Sequence, residues 1–102
     1  MERKLAAIMA GDVVGYSRMM AEDESGTYNQ LRAALDEVVR PALERHGGRV
    51  FKNTGDGFLA SFPSVNEALD AAIYIQGGFA QRAMQLRIGL NLGDVINRKS
   101  VV

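Results

Sequence analysis

Cysteine and tryptophan are absent from this chain of 102 residues, proline occurs twice and histidine once, and neither sign of charge prevails, with 12 Lys plus Arg against 12 Asp plus Glu. Without cysteine there are no disulfides, no thiolate metal ligands and no cysteine nucleophile, and a cytoplasmic protein is the natural expectation. The cancelling charges leave no global field toward nucleic acid or an anionic membrane, so any phosphate chemistry has to be local. Long apolar runs are missing too. Leu5 to Ala10, the longest near the N-terminus, falls far short of the about 20 residues that span a bilayer, so no membrane insertion is expected. It is also too short for a signal peptide.

What is present suits one compact domain over residues 1–102: 47% hydrophobic and 24% charged residues are ordinary for a globular core. Leu5 to Val14 is rich in Ala, Ile, Met and Val and predicts a first strand buried on both faces. Tyr28, Leu31, Leu35, Val38, Val39, Ala42 and Leu43 recur every three or four positions and predict a helix from Thr27 to His46 with Tyr28, Leu31 and Leu35 in the core. Pro41 lies inside it and predicts a kink or a lost hydrogen bond one turn earlier, and Gly47-Gly48 predicts its end. Arg49–Thr54 and Phe58–Phe62 read as a hairpin joined by Gly55-Asp56-Gly57. After Pro63, Ser64-Val65-Asn66-Glu67 has the form of a capping box and opens a second helix, whose last turns Gly77-Gly78 should weaken. Leu86, Ile88, Leu90 and Leu92 then alternate with Arg87, Gly89 and Asn91 in a final strand within Met84–Ile96, and Asn97 to Val102 reads as a frayed end. The order β-α-β-β-α-β defines an α+β, ferredoxin-like fold: an antiparallel sheet with two helices on one face.

That topology makes the first strand a neighbour of the hairpin, so Asp12 in Gly11-Asp12-Val13-Val14-Gly15-Tyr16-Ser17 should approach Asp56 in Lys52-Asn53-Thr54-Gly55-Asp56-Gly57. Two carboxylates at one point repel unless a cation lies between them, which points to divalent magnesium or manganese. The amides of Val14, Gly15, Tyr16 and Ser17 precede a helical turn and could donate to phosphate oxygens. Taken singly, Asp12 reads as a helix cap, Asp56 as a turn residue and Lys52 as a solvated strand lysine. His46, without a partner at ligand spacing, is assigned no role beyond the helix end, Arg18-Met19-Met20 reads as a turn, and Gly93-Asp94 as another turn.

Gly11 to Ser17, Lys52 to Gly57 and Arg87 to Val95 together resemble the catalytic domain of the class III adenylate and guanylate cyclases, over nearly the whole chain. The resemblance implies that Asp12 and Asp56, with the Val13 carbonyl, hold two Mg2+ or Mn2+ ions. The following amides would then bind the triphosphate, and Lys52 would read adenine, favouring ATP. It implies conversion of ATP to cyclic AMP and pyrophosphate in intracellular signalling, at a site formed in a homodimer or with a complementary cyclase domain. The family's domain continues with an Asn-x-x-x-Arg pair on a later helix, which the adjacent Asn97 and Arg98 do not reproduce, and some members carry an arginine where Asp94 stands. The domain is therefore expected to be incomplete at its C-terminus, and the 102 residues alone to have little or no activity. Two other readings remain: a non-catalytic nucleotide-binding or dimerisation module regulating a cyclase, and a diguanylate cyclase, against which stands Thr54-Gly55-Asp56-Gly57-Phe58 in place of Gly-Gly-Asp/Glu-Glu-Phe.

Overall fold

A computed structural model describes residues 2–97. Strand β1 (Glu2–Val13) is central and pairs antiparallel along its whole length with β4 (Leu86–Asn97), from Glu2 opposite Asn97 to Val13 opposite Leu86. On its other side lies β3 (Gly57–Phe62), with Ala7 opposite Phe62 and Asp12 opposite Gly57. Edge strand β2 (Arg49–Asn53) completes the sheet in the order β2-β3-β1-β4, with an irregularity between Val50 and Lys52. This is the antiparallel, ferredoxin-like α+β arrangement read from the sequence. Asn97 closes β4, and the rest of the expected frayed end lies outside the described residues.

The helices occupy one face, and burial along β1 records it. Ala7, Met9, Gly11 and Val13 are buried while Ala6, Ile8, Ala10 and Asp12 are half-buried or exposed. The expectation of a strand covered on both faces is thus corrected: both crossover connections lie on the same side, so every second residue of β1 looks away from the core. Phe58, Phe62, Met9 and Ile75 are the largest fully buried side chains, and burying each of these contributes about 1.5–3 kcal/mol.

Helix α1 (Tyr16–Glu22) occupies the stretch read as a turn at Arg18-Met19-Met20. Asp23 separates it from α2 (Glu24–Ala34), accepting a 3.0 Å bond from the Gly26 N–H as N-cap. The buried Thr27 hydroxyl donates to the Met19 carbonyl at 3.0 Å and ties the two helices. The long helix therefore begins before Thr27, and its first turn turns Tyr28 outward, 52% exposed, while Leu31 is buried and Leu35 packs against the core. Before Pro41 the helix widens into a π turn, Leu35–Val39, in which the Arg40 N–H reaches back five residues to the Leu35 carbonyl; α3 (Arg40–His46) follows. Proline has no N–H for the carbonyl one turn earlier, and the wider turn absorbs that loss. Gly47, at φ 70°, ends α3, its left-handed backbone being the conformation glycine adopts without cost.

Helix α4 (Val65–Phe79) starts at the expected capping box, where the Glu67 N–H donates to Ser64 Oγ at 3.1 Å. It continues through Gly77 and Gly78 because Val38 packs where a side chain at Gly78 would stand. Ala68, Ala71, Ala72, Ile75 and Phe79 form its buried stripe.

Candidate functional site

Asp12 leaves the end of β1 directly opposite Gly57, and the Val13 N–H donates to the Asp56 carbonyl at 2.9 Å. The structure therefore brings the two aspartate-bearing segments together. The contact depends on the glycine: a Cβ on Gly57 would stand 1.8 Å from the Gly11 carbonyl oxygen, closer than any side chain permits.

Asp12 Oδ1 accepts a 2.9 Å bond from Arg87 Nη2, and Arg87 is its register partner on β4. The guanidinium is 71% exposed and the carboxylate 36%, so the pair is worth at most about 1 kcal/mol and can open. Among the described residues Asp56 Oδ1 is held by Thr54 Oγ1 alone, at 3.4 Å. Carboxylates are hard oxygen donors of the kind that magnesium and manganese take, so Asp12 and Asp56 are residues that could hold either ion. Arg87 is the site residue that reading the sequence missed. It lies 75 positions from Asp12, and its signal was its place on the polar side of the final alternating strand.

Past Asp12 the chain turns through Gly15 at φ 69° into α1. The first intrahelical bond runs from the Met19 N–H to the Gly15 carbonyl at 3.1 Å, so the Tyr16 and Ser17 amides precede the helical ladder. The Val14 N–H differs, donating to the Gln85 carbonyl at 2.9 Å. Of the four amides singled out, Val14's is already committed to the fold.

Lys52 is exposed on β2 opposite Leu59, which pairs with Ala10, two residues before Asp12. Paired residues share a side, so Lys52, Asp12 and Arg87 lie on the sheet face without helices. With neighbouring strands about 4.8 Å apart, Lys52 is displaced from β1 by roughly 10 Å across the sheet. Among the described residues no hydrogen bond or ion pair joins it to either aspartate.

Gly93-Asp94, read as a turn, runs inside β4 opposite Ala6 and Leu5, because β1 extends far enough to pair it. A groove of about 710 Å³ lies in the helical layer between Glu37, Val38, Ile73, Tyr74, Gly77, Gly78, Gln81 and Arg82, on the side of the sheet away from Asp12.

No protein-family model matches the chain. It is 46% identical over 102 residues to the protein called "Putative adenylate cyclase 3" of Rhizobium meliloti (strain 1021), a match covering 92% of this chain and 17% of that protein. Among solved structures, the adenylate/guanylate cyclase/hydrolase from Silicibacter pomeroyi superimposes with a TM-score of 0.82 at 40% identity, covering 91% of this chain and 59% of that one. The guanylyl cyclase domain of the RhoGC fusion protein from the aquatic fungus Blastocladiella emersonii also reaches 0.82, at 17% identity over 94% of this chain and 62% of that one, a likeness of fold. The fold is thus that of nucleotidyl cyclase catalytic domains. The chain belongs to the class III adenylate/guanylate cyclase family and spans about 60% of the domains it superimposes on.

Proposed function

We propose that these residues are the aspartate-bearing part of an adenylate cyclase domain that converts ATP to cyclic AMP and pyrophosphate for intracellular signalling. The observation that supports this most is the antiparallel clamp that sets Asp12 opposite Gly57 and bonds Val13 to Asp56. In the reaction the ribose 3′-oxygen bonds to the α-phosphorus, the bond from that phosphorus to the bridging oxygen breaks, pyrophosphate leaves and the 3′-hydroxyl proton is released. Two Mg2+ or Mn2+ ions held by Asp12, Asp56 and the Val13 carbonyl would supply charge neutralisation of the phosphates and acidify the hydroxyl. The Tyr16 and Ser17 amides, with Gly15 shaping the turn, orient the triphosphate. Lys52 selects adenine.

The roughly 10 Å that separates Lys52 from β1 favours a site shared between two copies, or with a complementary cyclase domain, one giving the aspartates and the other the lysine. The family's Asn-x-x-x-Arg pair would come from outside the 102 residues, so slow or no turnover is expected of them alone. A second reading, a non-catalytic nucleotide-binding or dimerisation module, is favoured by the Arg87 guanidinium, which already gives Asp12 a positive partner at 2.9 Å.

The test is binding and turnover of manganese with ATP or GTP by the purified chain, beside Asp12→Ala and Lys52→Ala, with products identified by mass spectrometry. We expect the metal-nucleotide affinity to fall at least about tenfold in Asp12→Ala, on the order of 1.4 kcal/mol. The preference for ATP over GTP should vanish in Lys52→Ala. Cyclic AMP formation that is lost in Asp12→Ala separates the enzyme from the module. Unchanged metal-nucleotide affinity in Asp12→Ala would overturn the cyclase reading and leave the dimerisation module.

A further inference from the structure

Away from the open face of the sheet, α3 ends where α4 begins, and three side chains with metal-binding atoms converge there. His46 is the last residue of α3; Glu67 and Asp70 stand one turn apart on the first turns of α4. One ligand atom from each lies within 4.8 Å of the others. His46 Nδ1 is already 3.0 Å from Glu67 Oε1, and its side chain is only 15% exposed, so the imidazole is held by packing. The Glu67 backbone is fixed by the Ser64 cap. Asp70 is exposed and makes no hydrogen bond or ion pair among the described residues. The nearest basic side chain in sequence, Arg45, is turned onto the Tyr74 ring, 5.7 Å from its centroid.

We propose that His46, Glu67 and Asp70 form a binding site for a borderline transition-metal cation such as zinc, which clamps the end of α3 to the start of α4. An imidazole nitrogen with two carboxylates is a three-ligand set that zinc accepts, leaving a fourth position for water, and the two negative charges cancel those of the ion. Magnesium, which prefers oxygen donors and keeps its waters, is a poor match for it. A tetrahedral ion bonded at about 2.0–2.2 Å holds its ligands roughly 3.3–3.5 Å apart. The His46–Glu67 pair is close to that separation, and rotation of the unbound Asp70 carboxylate brings in the third ligand. The fixed imidazole and Glu67 backbone reduce the ordering cost of binding.

The site shares no residue with Asp12, Val13 or Asp56, so it stands or falls apart from the cyclase reading. Titration calorimetry with zinc should use untagged chain carrying Asp12→Ala and Asp56→Ala, which removes the other carboxylate pair. We expect one equivalent bound, insensitive to millimolar magnesium, and a melting midpoint raised by several degrees. His46→Gln and Asp70→Asn should each lower affinity by more than the about 10–100-fold that loss of an outer-shell partner costs. Asp70 is exposed, so its variant tests the ligand without disturbing the fold. A mere His46–Glu67 ion pair predicts no effect of Asp70→Asn. Absence of stoichiometric binding, or affinity that survives either substitution, overturns the proposal.

Discussion

Gly57 and its neighbours show how little tolerance the site has at the scale of single residues. The obstacle that a Cβ on Gly57 meets is backbone, the Gly11 carbonyl and the Asp12 Cα, and not the far end of a flexible side chain. Relief therefore has to come from moving β1 away from the hairpin, which also separates Val13 from Asp56. Overpacking usually costs about 1–3 kcal/mol, and this site belongs at the upper end. Gly57→Ala should lower the urea midpoint accordingly and abolish metal-nucleotide binding along with it. A variant with wild-type stability would show that the strands are not pressed together as described. Asp12 behaves oppositely. Its exposed pairing with Arg87 predicts a stability change within about 1 kcal/mol for Asp12→Ala, so loss of binding in that variant reports the site and not the fold.

At the scale of elements, the stretch from α2 through α3 carries a local conflict between sequence and helix. Pro41 cannot donate to the carbonyl one turn earlier, and the π turn Leu35–Val39 removes the steric part of that conflict by inserting a wider loop. The proline is consequently accommodated, so Pro41→Ala should change stability by less than about 1 kcal/mol, whereas Glu44→Pro, exposed in the regular part of α3, should cost about 3 kcal/mol. Equal effects in chemical denaturation would mean that the π turn does not relieve Pro41. The disturbance was legible from the proline itself, but its form was not, because a kink, a missing bond and a π turn all satisfy the same constraint. The caps at Ser64 and Gly47 were legible for the opposite reason: each is a short-range pattern with a single local solution. Helix α1 was legible only as a helical turn after Ser17, and its extent was not, since Tyr16–Glu22 has no fully buried residue to give it a hydrophobic period. The approach of the Asp12 segment to the hairpin that carries Asp56 followed from topology alone, while Arg87 against Asp12 needed the register of β1 on β4, which residues far apart in sequence set together.

The dimensions of the whole molecule follow from a mismatch of lengths. Each of β1 and β4 has 12 residues and α4 has 15; at about 3.4 Å per strand residue and 1.5 Å per helix residue, the strands run to roughly 41 Å and the helix to roughly 22 Å. The helix cannot cover the ribbon, and the molecule is drawn out to 45 × 28 × 19 Å. Exposure along β4 records where the cover ends: Leu86 is 4% exposed, Leu90 38% and Leu92 56%, with Leu5 on the adjoining strand at 66%. All four side chains share the face that carries the core, and β4 is an edge strand as well. An uncovered apolar edge favours association with a second chain. Leu92→Lys places a charge on that overhang without touching the packed interior, so its stability should stay within about 0.5 kcal/mol of wild type. Its dissociation constant for self-association, from sedimentation velocity over a concentration series, should rise at least about tenfold, on the order of 1.4 kcal/mol. Identical sedimentation of the two proteins would mean that this overhang is not an association surface.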